Sequence, residues 1–116
     1  MANEVQATLR TLPPLTVIDL RGEVTTFAEE VVAGAYRQAS EQGARHLLLN
    51  FKDVDYINSA GIAAIIGILT EARRAEQTLL ITGLTPHYAK IFQMMGLAQY
   101  APLFDTEEAA RDSVAS

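Results

Sequence analysis

The pair Asn58-Ser59 is followed by ten residues without a polar side chain, Ala60 to Leu69. The junction reads as an extended segment turning into a helix whose first turn carries a hydroxyl. A hydroxyl there sits among backbone N–H groups that lack a helical partner, at the positive end of the helix dipole. Such a setting tolerates a phosphate. The chemistry it predicts is receipt of charge rather than turnover. From the residues alone, the plainer role of Ser59 is an N-cap whose hydroxyl stabilises its helix by ~1 kcal/mol. The two roles are compatible.

Other chemistries fit these residues less well. A nucleophile elbow, G-x-S-x-G, needs glycine two residues before the serine, and Ile57 is there. His87 and Asp105 follow Ser59 in an order that is not that of an α/β-hydrolase. His46 precedes a strand and His87 falls in a first helical turn, with few other ligand types nearby, so no metal site is expected. The chain has no cysteine, hence neither disulfides nor thiolate ligands. Asp53 and Asp55, in a segment read as a loop, are solvated turn residues that could also give an acidic rim before Ser59. Glu71, Arg73, Arg74 and Glu76 read as a solvated helix face.

The composition sets the frame for these residues. At 116 residues and 12.6 kDa, the chain fits one domain, 1–116, with one core. A formal charge of −5, with nine scattered basic residues of which only Arg73 and Arg74 are adjacent, argues against a nucleic-acid partner. No apolar run reaches the ~20 residues of a membrane-spanning helix. The opening MANEVQATLR lacks the basic-then-apolar pattern of a signal peptide, and a cytoplasmic location is expected.

The elements that must position Ser59 alternate along the chain. Val5 to Leu12 and Leu15 to Arg21 read as two strands about the Pro13-Pro14 turn, a hairpin closed by Gly22. A helix starts near Thr26 with Glu29 completing a capping box, carries Phe27, Val31, Ala35 and Ala39 on one stripe, and stops at Gly43. His46 to Phe51 is a strand covered on both faces. The apolar helix runs from about Ala60 to Ala75, its N-terminal half the more enclosed. Thr78 to Thr82 is a further buried strand, and Thr85-Pro86 caps a helix bearing Tyr88, Ile91, Phe92 and Met95 that ends at Gly96. Of the pair Met94-Met95, one core and one exposed residue are expected. Tyr100 to Phe104 gives an edge strand beside Pro102, and Asp105 with Glu108 caps a last helix to about Val114. The expectation is an α/β domain: a mixed, mostly parallel sheet of four or five strands opened by a hairpin, with about four helices.

The run HLLLNFKDVDYINSAGIAAI, residues 46–65, resembles the central signature of the STAS family, the sulfate transporter and anti-sigma factor antagonist domains. That signature is a ϕϕϕNϕ strand, an aspartate-containing loop, and D-S-[STA]-G-ϕ opening a helix. Gly22-Glu23 matches the family's G-E-[LV] turn, and Tyr88 to Phe92 followed by Met95-Gly96-Leu97 resembles its later helix. A free-standing domain of this length is most similar to the bacterial anti-sigma factor antagonists. The resemblance implies a switch without catalysis or cofactor. An ATP-binding anti-sigma factor serine kinase would bind the unmodified antagonist and release its sigma factor. Phosphorylation would break the complex, and a metal-dependent serine phosphatase would reset it. The phosphoacceptor would be Ser59. Asn58, Ser59, Ala60, Gly61 and Ile62 would centre the partner surface, bordered by Gly22, Glu23, Asp53, Asp55, Tyr56 and Ile57. Asn58 stands where the family pattern has aspartate. STAS domains also serve as subunits of lipid-transport complexes and as scaffolds in stress-sensing assemblies, where the serine need not be modified.

Overall fold

The computed structural model describes residues 4–115 of the chain. Two strands, β1 (Gln6–Leu12) and β2 (Leu15–Val24), form an antiparallel hairpin through a cis Pro13-Pro14 turn. Helix α1 (Ala28–Glu41), strand β3 (His46–Ile57), helix α2 (Ser59–Arg74) and strand β4 (Thr78–Thr82) follow. Helix α3 (Pro86–Met94), a 3-10 turn (Leu97–Gln99), a two-residue strand β5 (Leu103–Phe104) and helix α4 (Glu107–Val114) complete the fold. The sheet order is β1-β2-β3-β4-β5, antiparallel only in the opening pair. The predicted architecture and the edge position of β5 are therefore observed.

Period-two patterning divides the strands between two faces. Ile18 and Leu20, Leu47, Leu49 and Phe51, and Leu79 and Ile81 belong to the larger core, with α1, α2 and Phe92 of α3. Leu15, Val17, Leu48 and Leu80 belong to a smaller cluster closed by Ala110 of α4. The continuous run Leu47-Leu48-Leu49 is buried throughout, as a strand covered on both sides must be.

Several boundaries depart from the sequence reading. β3 continues to Ile57, so Asp53, Asp55 and Tyr56 lie on a strand rather than in a loop. β2 likewise passes through Gly22, which adopts φ 95°, and shifts register beside it. α1 has no side-chain cap: Phe27 occupies the cap position, and the buried stripe is Ala28, Val32, Ala35, Tyr36 and Ala39. Of the predicted stripe, Ala35 and Ala39 are buried and Val31 packs half-buried against the core, whereas Phe27 is 61% exposed. α2 buries one stripe, Gly61, Ala64, Ile65, Ile68, Leu69 and Ala72, along its whole length instead of enclosing its N-terminal half. Phe92 takes the core position of α3, and both Met94 and Met95 are exposed. α4 is capped by Thr106, whose hydroxyl accepts the N–H of Ala109 at 3.0 Å; Asp105 is not the cap.

One polar network joins β1, β2, β3 and α4. Arg10 donates to both carboxylate oxygens of Asp19, at 2.8 and 2.9 Å, and pairs with Glu107 in the first turn of α4. Asn50 donates to the same carboxylate at 2.8 Å. The Arg10 bonds hold the Asp19 carboxyl below the usual carboxylate range, outweighing the opposing effect of burial, and Asn50 adds to the lowering. A depressed folded-state value gives stability that is present above the unfolded value, near 4, and lost as pH falls towards the folded one. Because both partners are partly exposed, Arg10→Ala should cost about 1 kcal/mol at pH 7. That difference should shrink in urea melts below pH 4.

Candidate functional site

The end of β2 and the end of β3 build the junction together. Glu23 lies opposite Tyr56 and Val24 opposite Ile57. The chain then leaves the sheet at Asn58, extended at φ −109° and ψ −175°, with its N–H donating to the Val24 carbonyl at 3.3 Å. Asn58 is the N-cap of α2: its Oδ1 accepts the N–H of Gly61 at 3.0 Å, and its carbonyl accepts the N–H of Ile62 at 2.9 Å. Asparagine caps as well as aspartate does. Ser59 is thus the first helical residue, not the cap, and it is exposed. The expected capping role of its hydroxyl falls to Asn58.

Gly61 is the device that sets the helix this close. A Cβ at Gly61 would run into the carbonyl and the side chain of Val24. The helix start is therefore pinned on the end of β2 twice, by backbone contact at Gly61 and by the Asn58 hydrogen bond. From α3, the Tyr88 hydroxyl accepts the N–H of Ile57 at 3.1 Å. Asn58 already occupies the Gly61 donor, so the hydrogen bonds of the described residues leave the N–H groups of Ser59 and Ala60 unpaired. Both are available to an anion on the Ser59 oxygen.

The residues singled out from the sequence share this end of the sheet but differ in exposure. Ser59, Ala60, Asp53, Asp55 and Tyr56 are exposed, and Gly22, Glu23, Asn58 and Ile62 are half-buried. Ile57 and Gly61 are buried and support the others from beneath. Phe27 was not anticipated. It sits just beyond Val24 and Thr25, at the head of α1, and is exposed, as Tyr56 and Tyr100 are. A β-turn, closed by Ala28 N–H to the Thr25 carbonyl at 3.0 Å, precedes the helix and leaves Phe27 outside the packed stripe.

His87 stands edge-on to Tyr88, with ring centroids 5.0 Å apart. Among the described residues no three His, Cys, Asp or Glu side chains are grouped as a metal would need. No helix among them is long and apolar enough to cross a membrane.

Comparison with known proteins places the chain. It is 24% identical over 106 residues to BtrV of Bordetella bronchiseptica, whose name is that of an anti-sigma factor antagonist, covering 91% of each chain. The fold superposes on an anti-sigma factor antagonist from Mycobacterium paratuberculosis with TM-score 0.82 at 15% identity, over 96% of this chain and 94% of that one. It is also similar to SpoIIAA of Bacillus in its phosphorylated form, with TM-score 0.71 and 27% identity over 94% of this chain and 99% of that one. The unphosphorylated form of the antagonist SpoIIAA matches with the same TM-score at 26% identity, over 93% and 96% of the two chains. The STAS domain family matches residues 6–110, nearly the whole described length, and the chain belongs to that family.

Proposed function

We propose that this chain is an anti-sigma factor antagonist switched by phosphorylation of Ser59. The unmodified form binds an anti-sigma factor serine kinase and so regulates sigma-factor-dependent transcription by protein–protein contact in the cytoplasm. The kinase phosphorylates Ser59, the complex separates, and a serine phosphatase restores the binding form. The role is regulatory, without catalysis, cofactor or direct contact with nucleic acid.

The observation that carries this reading is the division of labour at the start of α2. Asn58 does the capping, and Ser59 next to it is exposed, outside that hydrogen bond. A phosphate there adds about −1.5 to −2 charges and three acceptor oxygens. The helix dipole and the two free N–H groups offset part of that charge within the domain. A partner packed over Ala60 and Ile62 receives no such offset. The similarity to SpoIIAA, solved in both phosphorylated and unphosphorylated forms, supports a protein of this fold existing in two modification states. Tyr56, exposed at the end of β3 just before the serine, adds aromatic area there, the side-chain type that dominates binding energy at interfaces.

Incubation with a cognate anti-sigma serine kinase and ATP, read by intact mass, tests the assignment. Wild type should gain one phosphate and Ser59→Ala none. A chain that stays unmodified, or a Ser59→Ala variant that still gains the phosphate, contradicts it.

Asn58 favours a second reading. Where the family pattern has a carboxylate, this chain has a neutral cap of equal strength, so a kinase that reads the charge would find it missing. In that case the same surface docks a transporter ATPase or a stress-sensing scaffold, and Ser59 stays unmodified. Stable binding to such a partner, with no phosphate gained, would select this reading.

A further inference from the structure

β3 outruns its neighbour. Its last partner on β4 is Asn50, opposite Thr82, while on the β2 side pairing continues to Ile57 opposite Val24. Residues 51–57 therefore extend past β4 with no strand beside them on that edge. An overhanging strand leaves backbone groups that need partners from elsewhere. For Ile57, buried at 4% exposure, the partner is the Tyr88 hydroxyl at 3.1 Å. Tyr88 is itself well fixed. Pro86 opens α3, the Thr85 hydroxyl accepts the Tyr88 N–H at 3.3 Å, and the Tyr88 ring packs against the main core. Further along, fully buried Phe92 meets Phe51 edge-on at 6.1 Å and ties α3 to the middle of β3.

We propose that Tyr88 is a positioning residue for the Ser59 switch. Its hydroxyl holds the end of β3, two residues before the serine, from the α3 side, while Val24 holds the junction from the β2 side. With both attachments in place the Asn58-Ser59 turn has one geometry and presents one serine orientation. With the Tyr88 attachment removed the junction samples others, and only a fraction of molecules presents the competent one. Apparent affinity falls by that fraction. The proposal rests on Ser59 being the phosphoacceptor.

Tyr88→Phe removes one oxygen and keeps the ring. In the variant, amide exchange at Ile57 should quicken about tenfold, with Leu49 and Ile81 in the core unchanged. In the kinase assay KM should rise about fivefold with kcat unchanged, as expected for a lower competent fraction. Unchanged exchange at Ile57 together with unchanged KM overturns the proposal. So does a uniform rise in exchange that includes Leu49, which would make Tyr88 a general stabiliser. The wild-type protein gives a check without any variant: its Ile57 amide should be protected, and exchange there as fast as at exposed surface amides overturns the tether. If wild type gains no phosphate, the phosphoacceptor reading fails by itself. The exchange comparison then decides alone whether Tyr88 holds the junction.

Discussion

Gly61→Ala should destabilise the domain by about 3 kcal/mol, seen as a lower urea midpoint with an unchanged slope. The added Cβ would point into the carbonyl of Val24, a backbone atom group at the end of β2 that no rotamer change can move aside. To make room, α2 must shift its first turn away from β2. The Asn58 hydrogen bonds to the Val24 carbonyl and from Gly61 lengthen with it. The variant should therefore lose partner binding as well as stability, because the displaced turn carries Ser59. Gly67 in the same helix gives the control. A Cβ there meets no atom within 4 Å, and the residue is exposed. Alanine is the better helix former by up to ~1 kcal/mol, so Gly67→Ala should stabilise. One substitution type on one helix should thus change sign over six residues. Equal effects at the two sites would mean that the close approach of α2 to β2 does not govern stability.

Ser59→Asp should weaken the complex with the anti-sigma kinase on the order of 100-fold, while Ser59→Ala should bind at least as tightly as wild type. An unpaired charge desolvated at an interface costs several kcal/mol, and tenfold in affinity is about 1.4 kcal/mol. The fold gives no reason for either variant to unfold. Because the cap belongs to Asn58, the alanine variant loses no capping bond. An acidic residue in a first helical turn is favoured by the dipole, so the aspartate variant should melt at or slightly above the wild-type temperature. Calorimetric titration of both variants against the kinase, with melting curves on the same samples, separates the two effects. Wild-type affinity in both variants would remove Ser59 from the switch.

What was legible in the sequence follows from how local its signals are. Thr85-Pro86 is a cap and a first-turn proline within two residues, and α3 begins there. TLLIT is an apolar run bounded by polar residues, and β4 has those limits. Asn58-Ser59 marks the helix start because a capping side chain precedes an apolar helix. The misreading of β3 has its cause in a partner far along the chain. The second half of β3 buries Phe51, Val54 and Ile57, a spacing of three, because the pairing with β2 slips register beside Arg21 and Gly22. With the alternation broken, Lys52 to Tyr56 looks like a loop. Phe27 fits an apolar stripe on paper, yet the Thr25–Ala28 turn starts α1 a residue later and rotates Phe27 out to solvent. The tie from Ile57 to Tyr88 spans 31 residues and has no local signature.

The proposed switch depends on Ser59 accepting a dianion at the head of α2 without loss of the fold and with loss of the partner. Calorimetry on one phosphorylated sample measures both. The unfolding temperature should stay within a degree or two of the unmodified protein, while titration with the kinase should give no detectable heat of binding. Cooperative unfolding well below the unmodified temperature, or binding as tight as before phosphorylation, would contradict it.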